Sequence, residues 1–194
     1  MYSFTKVLGL GMLLMSSVAE ADFYLTPWVG YTGGGAVVDQ NDIEYDIKES
    51  ESYAITLEST LEQGRIGVFY SQQNSRIETL NESSTIQYLH FQSSIYYPVQ
   101  DRFKTYVGVG LGMSYVDVDW ASDKYGFSAS MFGGFEYEIN DTFSLNSQLR
   151  WLGTVVDNET SGICNLPTEE SCTIRFKTDW MNQFSANVGL VVRF

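Results

Sequence analysis

Ionisable residues that could carry chemistry lie in segments where apolar and polar residues alternate. They are Glu58, Arg65, His90, Glu136, Glu138 and Arg150. Carboxylate, guanidinium and imidazole groups that face one another can act as general acids and bases, or can pair through charged hydrogen bonds. His90 is the only histidine, and the residue two positions after it is Gln92 rather than a serine. A serine nucleophile paired with a histidine therefore has no local signature in this sequence.

A glycine repeat at Gly108, Gly110 and Gly112 raises the question of a nucleotide site. A phosphate-binding glycine loop lies between a strand and a helix, and no helical pattern follows these glycines. Glycine at every second position of a strand more often makes room for bulky neighbours or permits sharp coiling. The formal net charge of −13 also argues against nucleic acid, which binds to basic surfaces.

The amino-terminal segment has the composition of a secretory signal peptide. Lys6 precedes an apolar run at residues 7–15, and Ala19 and Ala21 form a small-residue cleavage site. The apolar run is shorter than the roughly 20 residues that a helix needs to cross a bilayer. We expect cleavage before Asp22, so that residues 1–21 are the signal peptide and residues 22–194 form one exported domain.

Two cysteines, Cys164 and Cys172, lie in the longest polar stretch of the chain. An even number of cysteines in an exported protein suggests a disulfide. Together with His90 they are too few to form a zinc site, and the acidic residues of segment 33–50 lack the spacing of a calcium loop. The sequence therefore predicts a disulfide between Cys164 and Cys172, and no metal or other cofactor.

Period-two alternation of apolar and polar residues indicates strands, and it recurs eight times. The predicted strands are residues 23–31, 52–61, 65–73, 84–97, 104–117, 125–139, 142–155 and 180–194. Aromatic residues make up 15 % of the chain and prolines number only 3, which favours strands. Tight turns alternate with long polar segments, which we expect to be solvated loops, at residues 33–50, 74–83, 118–124 and 156–177. We predict an all-β, antiparallel, up-and-down fold of eight strands.

The two faces of these strands differ in charge. One face is apolar and almost uncharged, whereas the other carries the six ionisable residues and Arg193. Inside a water-soluble barrel such groups would be costly unless paired, but in a transmembrane barrel the polar face lines the interior and the apolar face meets lipid. We predict a transmembrane β-barrel, with a secreted ligand carrier as the alternative. Aromatic girdles are expected from Phe23, Tyr31, Tyr53, Tyr97, Tyr115, Phe143, Trp151, Trp180 and Phe194.

The end of the last strand carries the most specific motif. Gly189, Val192 and the terminal Phe194 resemble the signal by which the barrel-assembly machinery recognises its clients. Residues 23–194 resemble the eight-stranded outer-membrane barrels of Gram-negative bacteria, which include the OmpA transmembrane domain, OmpX, Ail-like and OmpW-like proteins. Val188 departs from the pattern, because a polar residue usually precedes the glycine. The resemblance implies contact with outer-membrane lipid and lipopolysaccharide, assembly by that machinery, and a monomeric barrel without a further domain.

The resemblance leaves several functions open. In the main hypothesis the six ionisable residues form a hydrogen-bonded network that fills a lumen only wide enough for side chains, and the external loops serve a structural or surface-interaction role. One alternative is a narrow channel gated by partner switching in that network. Another is a conduit for hydrophobic small molecules, favoured by four apolar residues on the inward face: Trp28, Phe69, Tyr106 and Phe132.

Enzymes of this membrane class supply the remaining comparison. Deacylases of lipid A use a His-x-Ser pair with a glutamate, and palmitoyltransferase-like barrels place an essential histidine with serine and aspartate on external loops. Here Gln92 occupies the serine position, and His90 lies in the middle of a predicted strand. Omptin-type proteases have ten strands rather than eight. We therefore expect no enzymatic activity.

Overall fold

A computed structural model describes residues 22–34, 36–38, 44–46, 49–76, 83–117, 125–155, 162–165, 171–176 and 180–194. Within these ranges the regular secondary structure consists of β-strands. The strands are β1 (Phe23–Gly33), β2 (Ala36–Val38), β3 (Glu44–Asp46), β4 (Ser50–Leu61), β5 (Gly64–Arg76), β6 (Ser83–Gln100), β7 (Phe103–Asp117), β8 (Tyr125–Glu138), β9 (Phe143–Val155), β10 (Gly162–Asn165), β11 (Ser171–Phe176) and β12 (Trp180–Arg193). None of the described residues belongs to a helix that is long and apolar enough to cross a membrane.

Eight strands close into an antiparallel barrel in which neighbours along the barrel follow chain order: β1, β4, β5, β6, β7, β8, β9 and β12. The last strand pairs with the first, and Phe23 and Phe194 exchange backbone hydrogen bonds of 2.9 and 3.0 Å. Short connections at residues 62–63, 101–102 and 139–142 define what we call the turn end of the barrel. Longer connections define the loop end, at residues 34–49, 77–82, 118–124 and 156–179. The predicted eight-stranded, up-and-down barrel is confirmed.

The strand register fixes the dimensions of the barrel. Following paired residues once around the barrel from Phe23 returns to β1 at Gly33, ten residues further along. This offset is the shear of the barrel, and for eight strands it corresponds to a strand tilt of roughly 40°. A barrel of this size has an interior that side chains fill.

Alternate residues face opposite sides of the wall, as the sequence pattern predicts. Leu111 on β7 and Leu149 on β9 expose 59 % and 71 % of their surface on the outer face. Residues that alternate with them are buried in the lumen. The predicted girdle residues Phe23, Tyr31, Tyr53, Tyr97, Phe143 and Phe194 are exposed, and Tyr115 and Trp151 are partly exposed. The side chain of Trp180 lies outside the described part of the structure.

Two segments predicted to be solvated loops contain short strands. Strands β2 and β3 in segment 33–50, and β10 and β11 in segment 156–177, form a second sheet of order β10-β11-β2-β3. The sequence analysis predicts loops here because the segments are acidic. They also contain β-branched residues, which favour strands. These residues include Val37, Val38, Ile163, Thr173 and Ile174.

Strand β6 is also longer than the sequence pattern indicated. The sequence pattern predicts a turn over residues 98–102, but β6 continues past Pro98 to Gln100. The β6–β7 register shifts between Pro98 and Gln100. Such a shift lets a strand accommodate a proline near its end, so the turn shortens to residues 101–102.

Cys164 and Cys172 are directly opposite each other in the β10–β11 register. Their side chains lie outside the part of the chain that the structure describes, so the disulfide stays a prediction. Residues 1–21, which we expect to be a signal peptide, also lie outside it.

The inward glycines of β7 make room for side chains that cross the lumen. A Cβ atom on Gly108 would lie 2.4 Å from Cζ of Phe132 and 2.6 Å from the carbonyl oxygen of Ser93. A Cβ atom on the outward Gly133 would lie no closer than 3.1 Å to any of its neighbours. Because overpacking costs about 1–3 kcal/mol, we expect Gly108→Ala to lower the unfolding temperature in detergent by several degrees. The matched Gly133→Ala variant should change it little; an equal loss in both variants would contradict the packing role of Gly108.

Candidate functional site

Arg150 lies at the centre of the lumen with both faces of its guanidinium covered by aromatic rings. Its Cζ atom is 3.7 Å from the ring centroid of Phe69 and 4.1 Å from that of Phe132. Its nitrogen atoms donate to Gln92 Oε1 (2.6 Å), Ser130 Oγ (2.9 Å) and Gln148 Oε1 (3.0 Å). The planar cation therefore uses its faces for cation–π contacts and its edge for hydrogen bonds. Only 1 % of the residue is exposed.

Arg65 forms a second layer nearer the turn end. Its Cζ atom is 3.6 Å from the ring centroid of Tyr24 and 4.3 Å from that of Tyr96. Two of its nitrogens donate to the two carboxylate oxygens of Glu136 at 2.7 and 2.8 Å. Both side chains are almost fully buried. A bidentate pair of this kind has a fixed geometry as well as a favourable charge interaction.

A continuous set of hydrogen bonds connects the two arginine layers. Glu136 accepts from Asn146, Asn146 accepts from the Tyr106 hydroxyl, and Tyr106 accepts from Gln148, which also accepts from Arg150. We call this set, together with Arg65, Gln92 and Glu58, the lumen network.

Glu58 joins the lumen network through an amide. Gln92 donates from Nε2 to Glu58 Oε1 at 2.7 Å, while its Oε1 accepts from Arg150. Sequence reasoning placed Glu58 among the arginines, and the structure brings it there with Gln92 as the intermediary. Two glutamates and two arginines in the network balance each other in formal charge, and this reduces the cost of burying them.

His90 is held by two serines of β8, which lies two strands away from β6 in the barrel. Its Nδ1 lies 3.0 Å from Ser130 Oγ, and its Nε2 lies 2.6 Å from Ser128 Oγ. Ser130 Oγ also accepts a hydrogen bond from Arg150, so it connects His90 to the Arg150 layer. Both serines lie on a different strand from His90, where the search for a His-x-Ser motif could not find them. His90 and Ser128 are fully buried, and Ser130 is 2 % exposed.

Glu138 lies apart from the lumen network, although the sequence predicted it as a member. It pairs with Lys104 at the rim of the turn end, where about a third of each side chain is exposed. The reason is its position, because Glu138 is the last residue of β8, beyond the layer that Arg65 fills. A polar cavity of about 270 Å³ at this rim is bordered by Lys104, Glu136, Glu138 and Arg65.

An apolar cluster fills the lumen towards the loop end. Ile86 and Tyr88 interrupt the alternation in the sequence, and both turn inward to join it. The cluster consists of Phe69, Ile86, Tyr88, Leu152 and Met181. The Tyr88 hydroxyl donates to Gln183 at 2.7 Å, so its one polar group is satisfied.

The predicted assembly signal has structural contacts of its own. A Cβ atom on Gly189 would lie 2.6 Å from Cε3 of Trp28, so this glycine makes room for the indole inside the lumen. Phe194 stacks on Phe23 with ring centroids 6.3 Å apart. Val192 pairs with Leu25 across the seam between the first and last strands. These contacts leave the recognition role of the motif as a prediction.

The described part of the chain contains no group of three or more His, Cys, Asp or Glu residues that could hold a metal ion. The acidic residues of the lumen network are instead engaged with arginine and amide groups.

Removing the charge of Glu136 should leave Arg65 buried without its counter-ion. We expect Glu136→Gln to destabilise the folded barrel by about 3–5 kcal/mol, the usual cost of breaking a buried pair. The control is Glu138→Gln, the same change two residues along β8 at the exposed rim, which should cost less than about 1 kcal/mol. Urea-induced unfolding in detergent measures both values. Equal losses of unfolding free energy in the two variants would show that the buried Arg65–Glu136 pair stabilises the barrel no more than the exposed Lys104–Glu138 pair does.

This chain is similar to known outer-membrane β-barrel proteins in both sequence and structure. Residues 7–194 match the family model described as outer membrane protein beta-barrel domain. Neisserial surface protein A has a similar structure, with a TM-score of 0.61 and 14 % identity over 90 % of this chain and 99 % of that one. The outer membrane protein OprG from Pseudomonas aeruginosa gives a TM-score of 0.59 and 12 % identity over 90 % and 96 % of the two chains.

No curated protein sequence matches this chain significantly. Because the identities to solved structures are low, those structures support the fold alone. The family match supports more, since it covers nearly the whole sequence. In such barrels the short turns face the periplasm and the long loops face outward. The chain therefore belongs to the outer membrane protein beta-barrel family, and it is an integral protein of the Gram-negative outer membrane.

Proposed function

We propose that this protein is a closed, non-conducting barrel whose external loops interact with partners at the cell surface. The observation that carries the closed state is the clamping of Arg150 between Phe69 and Phe132 in mid-lumen. A cation held on both faces by rings and along its edge by three acceptors has no room left beside it for a hydrated ion.

Three successive fillings of the lumen support the closed state. Arg65 and Glu136 occupy the periplasmic part, the Arg150 layer occupies the middle, and the apolar cluster around Tyr88 occupies the external part. A narrow channel would need all three to rearrange together. Partner switching by one arginine would leave the apolar cluster in place.

The conduit for hydrophobic molecules is less well supported. Its case depended on four apolar residues that face inward, and all four are buried there. However, Phe69 and Phe132 cover Arg150, Trp28 donates to Thr56 at 2.8 Å, and Tyr106 donates to Asn146. These side chains are parts of a polar packing arrangement, and they do not line an apolar path.

The contact between His90 and Ser130 does not support a catalytic function. His90 and Ser130 have the contact that a nucleophile and its base require. Both are buried among Arg150 and Ser128, so a substrate has no approach to the serine oxygen. We infer that the pair stabilises the lumen and performs no chemistry.

The external loops have a strong acidic bias that favours cationic partners. The four external connections, residues 34–49, 77–82, 118–124 and 156–179, contain 14 acidic and 4 basic residues. The sheet formed by β2, β3, β10 and β11 gives part of this surface a regular backbone. A negative surface accelerates association with positive partners and repels negative ones.

A conductance measurement tests the closed state. We expect the refolded wild-type barrel to give no resolvable current steps in a planar bilayer. Arg150→Ala removes the guanidinium that fills the middle of the lumen and should produce current steps. Arg193→Ala, at the exposed periplasmic rim, should not produce them. Steady conductance by the wild type, unchanged in Arg150→Ala, would contradict the proposal.

A binding measurement tests the surface role. In nanodiscs we expect a fluorescent lysine-rich peptide to bind, and a glutamate-rich peptide of equal length not to bind. Combining Asp39→Asn, Asp42→Asn, Asp46→Asn and Glu49→Gln should weaken lysine-peptide binding at least several-fold at low salt. The control neutralises Glu62, Asp101 and Asp141 at the opposite end and should bind like the wild type. Equal weakening by the two sets would show that the effect comes from net charge alone.

A further inference from the structure

The seam where the barrel closes has an interruption that lies on one side of β1. Between β1 and β12, paired residues include Leu25–Val192 and then Trp28–Gly189, with Thr26 and Pro27 missing from the ladder. On its other side β1 pairs with β4 through Thr26 and Pro27 without a gap. Strands β9 and β12 also pair continuously past the same level.

The cause of the interruption is Pro27, which has no backbone N–H. Phe23 and Phe194 form a hydrogen-bonded pair, and such pairs recur at every second residue of an antiparallel ladder. Pro27 therefore directs its backbone towards β12, opposite Leu190. The carbonyl group of Leu190 faces a residue that has no proton to donate.

The gap lies on the lipid-facing wall, where no water can replace the missing bond. Pro27 and Leu190 are both exposed on the outer face. Contacts on either side hold the seam together. Trp28 covers Gly189 from within the lumen, and the turn end is fastened by the Phe23–Phe194 stack and by an Arg193–Asp22 ion pair of 2.7 Å.

We propose that Pro27 protects the open edge of β1 before the barrel closes. Until β12 pairs with it, β1 is an edge strand whose unpaired N–H and C=O groups could pair with another chain. Proline is one of the devices by which natural edge strands block such pairing. Here the proline acts on the one side of β1 that stays open until closure. In the closed barrel its cost is a seam with one hydrogen bond fewer. This role is independent of the proposed surface function.

The test refolds three proteins from urea into lipid vesicles over a series of protein concentrations: the wild type, Pro27→Ala and Val29→Ala. Pro27→Ala restores a donor. Its folded fraction should fall more steeply with concentration than that of the wild type, because β1 edges then pair between chains. Its folded barrel should unfold a few degrees higher. Val29→Ala removes an exposed apolar side chain from the same face without adding a donor, and should show neither effect.

Two results would overturn the inference. One is a Pro27→Ala yield that follows the wild-type concentration dependence. The other is an unfolding temperature of Pro27→Ala that does not rise above that of the wild type. That result would mean that the seam of the wild-type barrel already has all of its hydrogen bonds.

Discussion

The structure depends on one constraint: every polar group that the eight strands turn inward has to find its partner within a lumen too narrow for bulk water. The apolar face of each strand contacts lipid, and because side chains alternate along a strand, the polar face lines the interior. Among the described residues, the hydroxyl of Ser52 is the one buried side-chain polar atom that lacks a hydrogen-bond partner. The interior is thus a polar core, packed as a soluble protein packs its apolar core.

Arginine suits this core for a geometrical reason. A guanidinium has two flat faces and a ring of donors, so it can fill the space between two aromatic side chains and still bond in its own plane. Arg65 and Arg150 both do so, at different depths, with tyrosines in one case and phenylalanines in the other. A lysine at either position would offer a point charge without the flat surface. The same packing that stabilises the barrel closes it, so stability and the absence of a pore have one origin.

The sequence revealed the strands and their faces because period-two alternation is a local property. It also indicated that Glu58, Arg65, Glu136 and Arg150 face one space. Most of their partners lie on other strands, and the identity of those partners depends on register, which the sequence does not show. Ser128 and Ser130 reach His90 only because β8 lies two strands away across a glycine-bearing β7. Alternation alone predicts Glu138 in the lumen network, but it does not show that Glu138 ends β8, where it pairs with Lys104.

The most direct test of this account is the nuclear magnetic resonance signal of the arginine side chains in detergent micelles. Arg65 and Arg150 should each show an Nε–H resonance that exchanges slowly with water and moves strongly when either covering ring is replaced, because ring currents act on clamped groups. Arg102 and Arg193, on the exposed rim, should exchange rapidly. If all four arginines exchange at the same fast rate, the lumen contains mobile water and the packed polar core does not exist.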